Sequence, residues 1–231
     1  MIKISNLYCE DYHGVEVLKD ISFELGANTN LGVIGPNGAG KTTLLLCMAG
    51  LIAYKGDIVV FGEQALKKNW KELRKRFSFV FQNPDDQLFM PTVFENVAFG
   101  LDKLGFSKEE IRDKVISALK AVYLSGFEDK SAHHLSFGEK KKVCLAIAFA
   151  RNSELLLLDE PTSELDPGSR REFAELIREF PATKIIVCHD MDLVKEVCEK
   201  TMVINDGKIV AIGETEELLG NTKLMRSNRL L

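Results

Sequence analysis

The sequence predicts an α/β fold with a helical block set into it, and three observations carry that prediction. Short apolar runs that read as strands buried on both faces alternate with segments of helical periodicity. One of those runs, Leu31-Gly32-Val33-Ile34, leads through a glycine-rich turn into the helix-like Thr43-Leu44-Leu45-Leu46. Between residues 86 and 152 helical spacing dominates and no strong strand interrupts it.

Taken in order, residues 2–8 alternate apolar and polar as a half-buried strand does. Tyr12-His13-Gly14 reads as a turn, and 18–25 as a second strand. Gly50 is a plausible stop for the helix after the glycine-rich turn. Ile58-Val59-Val60-Phe61 is a strand, 69–76 a short basic helix, and 77–81 a further buried strand ending at Gln82. In the helical block, Thr92 with Glu95 stands at capping-box spacing. Ser107 caps a second helix with acids in its first turn, and Ser136 opens a third. Leu155-Leu156-Leu157-Leu158-Asp159 then returns to the core, followed by helix 167–179, strand 184–188, helix 190–198 and strands 201–205 and 208–212. A last helix is expected at 214–219, with 221–231 a polar, basic, loosely held tail. The division is therefore 1–85 and 153–231 as the core and 86–152 as a helical subdomain.

Composition narrows the class. At 45% hydrophobic and 28% charged residues the chain is ordinary globular protein, and a net charge of −4 leaves no basic footprint for nucleic acid. Cys9, Cys47, Cys144, Cys188 and Cys198 lack metal-site or disulfide-framework spacing, which predicts reduced, mostly buried thiols. The pair His133-His134 reads as loop and not as a metal site. Strand-like Ile2-Lys3-Ile4 at the start argues against a signal peptide, and no apolar run nears the ~20 residues that span a bilayer. Work at a membrane would need another chain to supply the membrane part.

The stretch Gly35-Pro36-Asn37-Gly38-Ala39-Gly40-Lys41-Thr42-Thr43 fits G-x-x-x-x-G-K-[ST], the P-loop pattern. Its glycines let backbone N–H groups converge on an anion, and the following helix aims its dipole at the same place. Lys41 can reach the β and γ phosphates, and the Thr42 hydroxyl can ligate Mg²⁺. Asp159, closing a buried strand, is a second candidate Mg²⁺ ligand. Glu160 next to it can accept a proton from a water attacking the γ phosphate.

Leu135-Ser136-Phe137-Gly138-Glu139 resembles the signature of ATP-binding-cassette ATPases, usually LSGGQ, and 159–166 resembles their Walker B end and D-loop. The resemblance runs across nearly the whole chain. It implies a RecA-like P-loop core with an N-terminal antiparallel β subdomain and an inserted helical one. It makes Tyr12 the adenine-stacking aromatic, Gln82 the Q-loop residue near metal and water, and His189 the switch histidine. By the same resemblance, Ser136, Phe137, Gly138 and Glu139 would serve the nucleotide of a second cassette, in a homo- or heterodimer, with Asp166 across the seam. Phe137 and Glu139 depart from the usual glycine and glutamine.

The stretch 81–100 is similar to the Q-loop region of energy-coupling-factor ATPases, which power uptake of vitamins and of cobalt or nickel. That likeness implies Leu88, Phe89 and Met90 as the apolar floor of a groove for a membrane coupling helix. It further implies ATP and Mg²⁺ as cofactors, a transmembrane coupling subunit and a substrate-binding membrane subunit as partners, and a peripheral place on the cytoplasmic face of the membrane. Alternatives are a soluble cassette in DNA maintenance, translation or cluster assembly, or a degenerate regulatory cassette.

Overall fold

The computed structural model describes residues 1–231, which divide into two compact units. The first comprises Met1–Arg74, Leu157–Glu160 and Thr183–Leu231, and the second Lys75–Leu156 and Pro161–Ala182.

The first unit opens with an antiparallel sheet. Strand β1 (Ile2–Glu10) pairs with β2 (Glu16–Leu25) on one side and β4 (Lys55–Val60) on the other, and β4 carries the two-residue β5 (Glu63–Gln64). Ile2 and Ile4 are buried on alternation, but the next buried residues are Leu7 and Cys9, one place out of phase. The register shifts there, and Asn6 adopts a left-handed backbone (φ 48°), so a bulge resets the inward face. The Asn6 amide hydrogen-bonds Asp20 at 2.9 Å and its N–H donates to Ser22 Oγ at 2.8 Å, which fixes the bulge.

The second sheet of this unit runs β10-β9-β3-β8-β7. Its strands are β3 (Leu31–Ile34), the end of β7 (Leu155–Asp159), β8 (Thr183–Val187), β9 (Lys200–Asn205) and β10 (Lys208–Glu214). β3 pairs parallel with β8 and with β9, while β9 and β10 form an antiparallel hairpin. Every residue of β3, β7 and β8 is buried: Leu31-Gly32-Val33-Ile34 and Leu155-Leu156-Leu157-Leu158 are unbroken runs without a polar side chain, and β8 adds buried Thr183 and Lys184 before Ile185-Ile186-Val187. Helix α1 (Lys41–Met48) follows β3, and Gly50 (φ 64°) ends it. A Cβ on Gly50 would lie 2.4 Å from the Trp70 ring, so glycine is needed for packing as well as for turning.

Two expectations are corrected here. The basic helix 69–76 shrinks to α2 (Trp70–Leu73), because Arg74 leaves the helix and donates to the Ala49 carbonyl. The tail is not loose. After α7 (Met191–Val197) and α8 (Thr215–Gly220), helix α9 (Thr222–Ser227) docks through buried Met225 and Asn228, and Asn228 accepts from Asn205 Nδ2 at 3.0 Å.

In the second unit, β6 (Phe77–Val80) lies beside the start of β7, and Ser78 and Ser153 share a buried hydrogen bond of 2.7 Å. The expected helices are all present: α3 (Val93–Ala98), α4 (Lys108–Ala121), α5 (Phe137–Ala150) and α6 (Pro167–Glu179). The capping box read from sequence forms between Thr92 and Glu95, and the expected cap Ser107 forms one as well, with Glu110. All five cysteines are buried free thiols, and burial pushes Cys144 and Cys198 up to about 12, so they stay protonated.

Candidate functional site

Three neighbouring strands of the first unit deliver the chemistry. The loop after β3 carries the glycine-rich turn, Glu160 follows β7, and His189 follows β8. Loops at the carboxyl ends of adjacent parallel strands converge, which is where α/β sheets bind ligands.

The turn is shaped by sterics. A Cβ on Gly35 would sit 2.1 Å from the Ile204 carbonyl oxygen, so only glycine lets the chain leave β3 this closely. Gly38 (φ 77°) and Gly40 (φ 99°) take left-handed backbone. At Gly38 a Cβ would meet nothing within 4 Å, so that residue is dictated by backbone conformation alone. Asn37 and Gly38 are exposed, Ala39 is buried, and Pro36 and Thr43 are half-buried, so the loop shows its crest and hides its base.

Lys41 is 7% exposed. Its ammonium donates to the carbonyls of Gly35 (2.8 Å) and Pro36 (3.1 Å) and lies 3.2 Å from His189 Nε2. Burial lowers its pKa below the usual lysine value, and Glu160 and Asp159 oppose that shift. The Thr42 hydroxyl donates to Asp159 Oδ1 at 3.0 Å, which brings the two expected Mg²⁺ ligands side by side. Two hard oxygen donors suit Mg²⁺, which takes few protein ligands and completes its shell with water and phosphate.

Glu160 holds a strained left-handed backbone (φ 44°) while its N–H donates to the Val187 carbonyl at 2.8 Å. Its carboxylate accepts from the His189 backbone N–H at 3.3 Å and lies 3.4 Å from His189 Nε2. Burial first and Lys41 second lower the His189 pKa, so the imidazole is neutral at pH 7 and its contact with Glu160 is not an ion pair. Of the two neighbours of Nε2, the Lys41 ammonium can only donate. Nε2 therefore accepts and the ring proton sits on Nδ1.

Lys41, Thr42, Asp159, Glu160 and His189 are thus brought together as expected. Tyr12 sits in the β1–β2 turn, 92% exposed, its ring 3.9 Å from that of His13. Asp11 fixes this turn by accepting from the backbone of His13 and Val15.

The remaining candidates belong to the second unit. Gln82 is exposed just beyond β6. Asp166 caps α6, accepting from the N–H groups of Gly168 and Ser169 and from the Ser169 hydroxyl, which holds its carboxyl below the usual range. Ser136 caps α5 and pairs with Glu139 in a third capping box. The signal for that box was in the sequence, since Ser136 and Glu139 have S-x-x-E spacing. Phe137 and Gly138 form the first turn, half-buried, with Gly138 against Ser169 and Leu165. Of the expected groove residues, Leu88 is buried at 4% exposure and so packs the unit's interior. Phe89 is 60% exposed and stacks edge-on with Phe99 at 4.8 Å, and Met90 lines a shallow recess with Phe94, Ala98, Phe99 and Ile111.

The glycine-rich turn at the carboxyl end of β3, leading into α1 at Lys41 and Thr42, marks the fold as that of a P-loop nucleoside triphosphatase. The family model described as "ABC transporter" matches residues 18–163. The chain is 41% identical, over all of its length and 85% of the relative's, to the energy-coupling factor transporter ATP-binding protein EcfA of Methanocaldococcus jannaschii. Its fold superposes on cbiO1 of Clostridium perfringens, described as part of the ABC transporter complex cbiONQ, with TM-score 0.86, 32% identity and 99% and 94% of the two chains covered. A cassette bound to ADP and Pi, MJ0796, shares the fold at TM-score 0.84 and 23% identity, over 93% of this chain and 99% of that one. The chain belongs to the ABC transporter family and is an ATP-binding-cassette ATPase of the energy-coupling-factor type.

Proposed function

We propose that the chain is the ATP-hydrolysing subunit of an energy-coupling-factor importer for a vitamin or a transition-metal ion such as cobalt or nickel. In this reading it works as a head-to-tail pair of cassettes on the cytoplasmic face of the membrane, with a transmembrane coupling subunit and a substrate-binding membrane subunit. No helix of the chain is long and apolar enough to cross a bilayer, which fits a peripheral role. The observation that carries the proposal is the Lys41–Thr42–Asp159–Glu160–His189 cluster, joined to an exposed aromatic pair, Phe89 and Phe99, in a stretch similar to energy-coupling-factor ATPases.

The chemistry follows from the geometry. ATP binding exchanges the Lys41 contacts with the Gly35 and Pro36 carbonyls for phosphate oxygens. The Tyr12 ring, presented to solvent, is free to stack on adenine. Thr42 and Asp159 would hold Mg²⁺, which neutralises developing charge on the phosphates; Gln82 would join them in the nucleotide-bound state. Glu160 takes the proton of the attacking water as the terminal P–O bond breaks to give ADP and phosphate. His189 holds the Glu160 carboxylate through its backbone N–H. Ser136 and the first turn of α5 would face the partner's nucleotide, and Asp166 would line the seam.

The test is isolation of the tagged chain from membranes of its native cells. A second cassette and a multi-span membrane subunit in stoichiometric amounts are expected. Recovery of the chain wholly in the soluble fraction would reject the transporter reading. Uptake of labelled cobalt, nickel or vitamins in cells carrying Glu160→Gln would then identify the solute.

A further inference from the structure

The start of α5 holds an arrangement that the hydrolytic cluster does not use. The Ser136 N–H and hydroxyl both donate to Glu139 Oε2, at 2.7 and 2.8 Å, and the Glu139 N–H donates back to Ser136 Oγ at 3.3 Å. The hydroxyl is therefore committed as donor and acceptor inside its own helical turn. Hydrogen bonds from Ser136, the backbone one foremost, hold the Glu139 carboxyl below the usual carboxylate range, so the group is charged at neutral pH.

The adjoining lysine run does not cancel that charge by contact. The Lys140 ammonium is 2.7 Å from Asp85, and that of Lys142 is 2.7 Å from Glu172. Lys141 is fully buried, its ammonium 5.5 Å from the centre of the Phe137 ring. Lys130 and Lys142 act on Glu139 only as weaker, longer-range fields. A triphosphate approaching this helix start meets a carboxylate and an engaged serine where a bare N-terminus would attract it.

We propose that Glu139 is a partner-selecting residue: it weakens nucleotide-driven pairing of two copies of this chain, and so favours a non-identical cassette with an uncharged residue at that place. The proposal rests on the paired-cassette reading above. Two copies set two such carboxylates against two triphosphates, whereas a mixed pair sets one. Glutamine at 139 keeps the length and the acceptor of the cap and removes only the charge.

The test measures ATP- and Mg²⁺-dependent dimerisation of the purified chain by sedimentation velocity, in a Glu160→Gln background that retains ATP. Adding Glu139→Gln is expected to tighten the dimer about tenfold or more, which corresponds to ~1.4 kcal/mol. The gain should shrink as salt rises from 50 to 500 mM, because repulsion between exposed charges is screened; a change in cap shape alone would not respond to salt. Glu139→Ala, which removes charge and cap together, should also pair more tightly if circular dichroism shows its helices intact. Dimerisation that is equal or weaker in Glu139→Gln, including monomer in both proteins, overturns the proposal. Binding of a fluorescent ATP analogue to the same samples separates the two levels: intact binding without a gain in pairing condemns the Glu139 proposal alone, and absent binding condemns the nucleotide reading beneath it.

Discussion

Replacing Lys41 with methionine removes the ammonium and keeps most of the apolar stem. In the folded chain the ammonium makes two hydrogen bonds to neutral carbonyls, those of Gly35 and Pro36. With ATP bound it would make comparable bonds to charged phosphate oxygens. Bonds to charged groups contribute about 1.5–3 kcal/mol each and neutral ones about 0.5–1.5, so the exchange is worth roughly 2–3 kcal/mol for two bonds. That is a loss of about 30- to 150-fold in ATP affinity. Differential scanning fluorimetry turns this into temperature. At an ATP concentration 100 times the wild-type Kd, binding stabilises the protein by about 2.7 kcal/mol, and a hundredfold weaker site gains only ~0.4. For a domain of this size, 1 kcal/mol moves Tm by about 2–4 °C. The ATP-induced shift should therefore fall from about 5–11 °C to about 1–2 °C. Without nucleotide the variant should melt near the wild type, because burial disfavours the charge at this position and its loss offsets the lost bonds to the two carbonyls and to His189. A variant that kept a shift of 5 °C or more would refute the assignment of Lys41 as a phosphate ligand.

Two further outcomes follow from particular contacts. The His189 pKa is depressed below 6.5 by burial and by Lys41. As pH falls below 6.5 the unfolded chain takes the proton first, so His189 costs stability in that range and nothing above it. His189→Ala should accordingly lose less Tm than wild type between pH 7 and pH 5.5, and parallel curves would contradict the shift. Asn228→Ala removes the buried side chain that accepts from half-buried Asn205 and should cost about 0.5–1.5 kcal/mol in urea denaturation, whereas a loose tail would cost nothing.

Legibility tracked sequence distance. The glycine-rich turn, the capping box at Thr92 and the cap at Ser107 are local patterns, so spacing was enough to find them. β3 and β7 were legible because Leu31-Gly32-Val33-Ile34 and Leu155-Leu156-Leu157-Leu158 are continuous runs without a polar side chain, and β8 through its apolar stretch Ile185-Ile186-Val187. The contact between Lys41, Glu160 and His189 was reached only through resemblance, because it depends on the order of strands far apart in sequence. The docked tail was missed since its polar composition outweighed two buried residues, Met225 and Asn228. The differing fates of Lys140, Lys141 and Lys142 carry no local signal: one pairs with Asp85, one is buried and one pairs with Glu172. Helical rotation of about 100° per residue separates consecutive side chains in that way.

The identity of the nucleotide that stays on the Glu160→Gln protein is the most direct measurement. After incubation with ATP and Mg²⁺, the bound fraction is separated, quenched and chromatographed beside wild type. Retained ATP, with turnover lower by about 10²- to 10⁴-fold, is expected if Glu160 accepts the proton of the attacking water. Bound ADP, formed at the wild-type rate, would contradict it.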